Sequence, residues 1–213
     1  MYIYYHSCNF AKLFPKTDQK ILSYLATQPD VNVAGCCLTS SDAADADDII
    51  IYVCLSCYHM LKAMRPEVKQ ISLFEFLLTR EDIVWPDLKG EEITVQDCFR
   101  ARGLHGIQNA VRECLHRMNA EIVEMENNRD EELYDGAFLY HDPSPANVKI
   151  APKYFVDHVS KYLTIIPKEQ WKDNLREHAG KYTTSRVVCY CNTCTSGAVE
   201  GGAQALHLAE LIF

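Results

Sequence analysis

Apolar positions follow two alternating rhythms along the chain. Short β-branched or aromatic runs precede five cysteines: MYIYYH before Cys8, VNVAG before Cys36, DDIIIYV before Cys54, EEITVQD before Cys98 and SRVVCY before Cys191. Runs of this length and composition predict buried strands. Between them, apolar residues recur at three- and four-residue spacing, as in Ile21, Leu22 and Leu25, and again in Ile107, Val111, Cys114, Leu115 and Met118. That period predicts helices packed by one face. Strands alternating with helices predict an α/β fold of parallel strands with flanking helices. In such sheets the ligand crevice lies beyond the carboxyl ends of the strands, which is where the cysteines are expected.

The pattern occurs twice. YVCLSCYHMLKAMRPEVKQISLFEFLL (52–78) is echoed by CYCNTCTSGAVEGGAQALHLAELIF (189–213), with CLSC against CNTC and ISLFEFLL against LHLAELIF. MYIYYHSC and EITVQDC likewise each bring a cysteine to the end of a strand. The expected organisation is a first unit over 1–82, a Pro/Gly-containing linker over 83–90 and a second unit over 91–213. Both CxxC segments open onto an expected helix, CYHMLKAM from Cys57 and TSGAVEGG after Cys194. A helix start favours thiolate. The acidic runs SDAADADD and MENNRDEELYD read as solvated loops or helix ends.

Composition narrows the function classes. The 213 residues are 48% hydrophobic and 23% charged, the proportions of an ordinary globular chain. With 21 basic against 29 acidic residues the net charge is −8, which argues against nucleic acid as a partner. The longest uncharged apolar stretch, Ile49–Leu55, falls far short of the roughly 18 residues of a membrane span, so direct insertion is not expected. The N-terminus MYIYYHSCNF lacks the basic region of a signal peptide. A cytoplasmic location is the expectation.

Ten cysteines then demand an account, since a reducing compartment does not support a disulfide framework. Five of them read Cys8-x27-Cys36-Cys37-x16-Cys54-x2-Cys57. This order resembles the CCG cysteine-rich domain family, found in heterodisulfide reductase and in the iron-sulfur subunits of glycolate and lactate oxidases. The resemblance covers nearly the whole chain. It implies that the five cysteines hold an iron-sulfur cluster, of non-cubane 4Fe–4S type in the heterodisulfide reductase branch. It also implies two copies of the motif per chain. The intervals are short for the family, and Leu38 rather than glycine follows the cysteine pair.

The second unit departs further. Cys98, Cys191 and Cys194 match the first and last elements of the motif, but Tyr134-Asp135-Gly136 stands where the cysteine pair would be. Aspartate in place of the second cysteine is a variant within the family, and the resemblance makes Asp135 the matching ligand. One or two 4Fe–4S clusters per chain are thus implied. A carboxylate is harder and exchanges more readily than a thiolate, so it implies a shifted potential or an open iron. The family further implies an oxidoreductase subunit that passes electrons to a disulfide, quinone or similar acceptor.

No phosphate loop, dinucleotide fingerprint or HExxH occurs, and SGAVEGG lacks the GxGxxG spacing. Electrons are therefore expected from a partner such as a flavoprotein or ferredoxin-like subunit, within a complex. Cys114 reads as core, and Cys189 as core or a spare thiol. His6, His59, His141 and His207 lie near the motifs without an assigned role; His141 has the best claim. Two alternatives stand. One is a zinc-binding structural or interaction module with Cys54, Cys57, Cys191 and Cys194 around one ion. The other is a metal-free dithiol oxidoreductase, which gives the cysteine pair and the repeat no role.

Overall fold

The run YIYY forms β1 (Tyr2–Tyr5), the second strand of a four-stranded sheet seen in a computed structural model of all 213 residues. Helices α1 (Cys8–Leu13) and α2 (Pro15–Leu25) carry the chain to β2 (Val31–Ala34), which pairs in parallel with β1. The other edge of β1 pairs with β3 (Ile49–Tyr52), placing Tyr4 between Val33 and Ile51. Helix α3 (Leu55–Met64) leads to β4 (Lys69–Ser72) and α4 (Leu73–Leu78), giving the order β2-β1-β3-β4.

The second half repeats this order. β5 (Glu92–Gln96), α5 (His105–Arg117) and β6 (Glu121–Glu124) precede a long excursion that contains α6 (Pro145–Ile150) and α7 (Lys168–Ala179). β7 (Arg186–Cys189), α8 (Asn192–Glu200), β8 (Ala205–His207) and α9 (Leu208–Ile212) complete a parallel sheet of order β6-β5-β7-β8. The architecture is α/β, with two four-stranded parallel sheets flanked by helices. No helix is long and apolar enough to cross a membrane.

Burial explains why the apolar runs become strands. Tyr4, Tyr5, Ile50, Ile51 and Val188 are all solvent-free, and each of the aliphatic side chains contributes about 1.5–3 kcal/mol on burial. The larger core joins both halves, with Tyr4, Ile51, Phe74 and Phe76 packed in one continuous cluster with Val95, Val111, Leu115 and Leu208. Cys114 and Cys189 belong to this core, as their apolar surroundings in the sequence suggest.

The alternation of strand and helix breaks in one place. β2 and β3 are joined by turns over 35–48, because SDAADADD bonds to itself: Asp45 N–H donates to Asp48 Oδ2 at 2.9 Å. The cysteine pair Cys36-Cys37 opens this loop.

Candidate metal centre

Every motif cysteine lies just beyond the carboxyl end of a strand. Cys54 and Cys191 are the N-cap residues of α3 and α8, both in extended backbone, and Cys98 stands in the same place before the short helical turn Phe99–Ala101. The helices thus start at the first cysteine of each CxxC, not after the second as the sequence suggested. Cys57 and Cys194 lie inside the first helical turn. Neighbouring parallel strands β5 and β7 therefore deliver Cys98 and Cys191 side by side.

Asp135 joins them from the excursion after β6. Donor atoms of Cys98, Asp135, Cys191 and Cys194 all lie within 4.8 Å of one another, and all four residues are buried. Asp135 Oδ1 is 3.5, 3.6 and 3.8 Å from the sulfurs of Cys98, Cys191 and Cys194. Gly136 makes this approach possible. It has a φ of +55°, and a Cβ there would overlap the Thr193 carbonyl oxygen.

Arg100, absent from any sequence motif, completes the group. Its side chain is 3% exposed, and its Nη2 donates to Asp135 Oδ1 at 2.8 Å and to Cys191 Sγ at 3.2 Å. Nε lies 2.7 Å from Asp135 Oδ2 but without the alignment of a hydrogen bond, so both atoms are buried without a directed partner. Thr193 Oγ1 donates to Asp135 Oδ1 at 2.6 Å.

These contacts set the protonation of the group. Burial lifts Asp135 to about 7, against the pull of the Arg100 charge. Burial also holds Cys98 and Cys194 well above the ordinary thiol range. It pushes Cys191 the same way, but hydrogen bonds from Cys194 and Cys98 and the Arg100 guanidinium outweigh it and hold Cys191 well below. One thiolate beside two protonated thiols and a carboxyl is a donor set that releases protons when it takes a cation.

The five first-unit cysteines are arranged differently. Cys36 and Cys8 sulfurs are 3.7 Å apart, and Cys37 and Cys57 sulfurs 3.5 Å. Cys57 also bonds Cys54, which that hydrogen bond, helped by Arg100, lowers to about 6. The five thus form two sulfur pairs, Cys8 with Cys36 and Cys37 with Cys57, and range from exposed Cys8 to buried Cys37, Cys54 and Cys57. Cys191 and Cys194 converge with Cys98 and Asp135 rather than with Cys54 and Cys57, so the single zinc site across the two CxxC segments is not the grouping the fold makes.

The histidines stay outside both sets. His6 pairs with Asp18, His59 Nε2 meets the Arg100 carbonyl at 2.8 Å, and His141 is exposed beside Trp171. His207 is solvent-free against Phe10, Phe14 and Phe74. Glu132, in a run expected to be solvated, is buried because it accepts from Leu133 N–H, Tyr134 N–H and Gln96 Nε2. A cavity of about 540 Å³ opens against the Tyr134–Gly136 turn, lined also by Glu132, His178 and Lys181.

The arrangement is a buried set of three cysteines and one aspartate that can hold a metal ion or cluster, beside a second set of five thiols. Compared with protein-family models and with curated proteins, the chain matches none.

Proposed function

We propose that this chain is an iron-sulfur redox protein resembling heterodisulfide reductase and the CCG domain family. In this reading it passes electrons from a partner protein to a disulfide, quinone or similar acceptor. The observation that carries it is the pairing of two cysteine sets at equivalent places, the carboxyl ends of two parallel sheets of the same strand order. Soft thiolates select zinc, copper(I) or iron-sulfur clusters. Five cysteines in the first set, four of them in two sulfur contacts, exceed the four ligands of a tetrahedral ion and suit a polynuclear cluster.

Cys8, Cys36, Cys37, Cys54 and Cys57 would hold one cluster, and Cys98, Asp135, Cys191 and Cys194 the other. Bound there, a cluster supplies the one-electron storage that no side chain offers. The chain's own residues do the rest. Cys8 is exposed and Cys36 half-buried, which gives a donor such as a flavoprotein or ferredoxin-like subunit a place of close approach. The second set is shielded from water, and the cavity beside Asp135 has the size of a small-molecule site.

A zinc-binding structural module is the second reading, favoured by the mutual convergence of Cys98, Asp135, Cys191 and Cys194. It leaves the five first-unit thiols without a role. To separate the readings, protein loaded with iron and sulfide is reduced with dithionite, freed of excess reductant and mixed with a dialkyl disulfide or a quinone. Reoxidation, with thiol released from the disulfide or quinol formed, is the expected result. A spectrum that neither acceptor changes contradicts the redox role.

A further inference from the structure

The first turns of α3 and α8 carry a hydroxyl at the same position of each CxxC, Ser56 in Cys54-Leu55-Ser56-Cys57 and Thr193 in Cys191-Asn192-Thr193-Cys194. One guanidinium holds both. Arg100 Nη1 donates to Ser56 Oγ at 2.5 Å, and Nη2 donates to Thr193 Oγ1 while also reaching Asp135 Oδ1 and Cys191 Sγ. The backbone of the same residue is tied to α3 as well, through His59 Nε2 on the Arg100 carbonyl. His59 is itself fixed by stacking on Tyr154 at 3.4 Å between ring centroids. The guanidinium carbon lies 4.5 Å from the Phe138 ring centroid, which leaves the fork no free face there.

We infer that Arg100 is a positioning residue that couples the two cysteine sets, so that a change at Ser56 is felt at the Cys98/Asp135/Cys191/Cys194 group. The physical reason is the shape of the donor. A guanidinium presents its N–H groups in one rigid plane, so the direction of Nη1 toward Ser56 fixes the direction of Nη2 toward Asp135 and Cys191. Buried at 3% exposure, it has little water with which to replace a lost acceptor. Removing the Ser56 hydroxyl leaves a buried N–H unpaired, and the fork must turn. Lysine, a point charge on a flexible stem, keeps the charge but not this link. The inference rests on the proposed metal-binding role only for its first readout.

Cobalt(II) titration of the reduced, metal-free chain provides that readout. The absorption lost in Cys98→Ser marks the second set. Ser56→Ala, which removes no donor atom, is expected to shift that band and weaken cobalt binding there about threefold or more. In an Arg100→Gln background the same substitution is expected to change neither. Arg100→Lys is expected to bring affinity back toward that of the unaltered chain without restoring the dependence on Ser56. An effect of Ser56→Ala that is equal with and without Arg100, or absent with it, overturns the coupling.

A chain that takes up no cobalt contradicts the metal reading instead. The coupling is then decided on urea unfolding of the metal-free chain. Ser56→Ala and Thr193→Val should combine non-additively when Arg100 is present and additively in Arg100→Gln. Additivity in both backgrounds refutes it.

Discussion

Asp135 and Arg100 form an ion pair almost without solvent contact, with side chains 0% and 3% exposed. Such pairs yield little net stability when intact, but breaking one side costs about 3–5 kcal/mol where the other charge is left alone, and here the Cys191 thiolate stays beside Arg100 and sets the loss at the low end of that range. Asp135→Ala should therefore lower the urea stability of the metal-free chain by that order. The double variant Asp135→Ala/Arg100→Met should recover most of the loss. Equal loss in single and double variants would mean that the pair is not electrostatically linked. Of the two partners only Asp135 was legible in the sequence, through its place in the motif. Arg100 was not, because an arginine two residues after a cysteine looks like any surface charge until the fold closes over it.

At the level of elements, the internal echo of ISLFEFLL by LHLAELIF proves to be one strand-to-helix turn used twice. Ser72 caps α4 with Glu75 closing the box, and His207 caps α9 with Glu210 in the same role. The five strands that lead into a cysteine were readable, since short β-branched or aromatic runs leave little choice of structure, whereas β4, β6 and β8, with more polar or shorter runs, were not. The segment between β6 and β7 was not readable, because its short helical turns and the irregular turn Lys153–His158 follow no single period. His207 yields a prediction that Ser72 does not. Burial lowers it from 6.5 to about 4, so between those values the unfolded chain binds a proton that the folded one refuses. The stability from its neutral burial is full above pH 6.5 and falls as the pH drops toward 4, by up to about 1.4 kcal/mol per pH unit. His59 and His178, which burial lowers to about 3 and about 4, add to the same slope. His207→Ser should be less stable at pH 7 from lost aromatic packing, yet lose less between pH 6.5 and 4.5 in urea unfolding. An unchanged slope would show that His207 takes up its proton in the folded chain.

For the whole molecule, one continuous apolar core runs through both sheets, and Arg100 ties the starts of α3 and α8 together. The metal-free reduced chain should therefore unfold in one cooperative step, with fluorescence and far-UV circular dichroism giving coincident transitions. Two separated transitions would mean that the halves fold independently. That same junction places the five first-unit thiols beside a buried set of three cysteines and one aspartate, and what occupies them decides the function. The decisive measurement is iron, zinc and acid-labile sulfide per chain, with an optical and EPR spectrum, on protein purified without oxygen. About eight iron and eight sulfide, or about four of each with one set loaded, is the predicted result. Zinc without sulfide, or no metal at all, would contradict it.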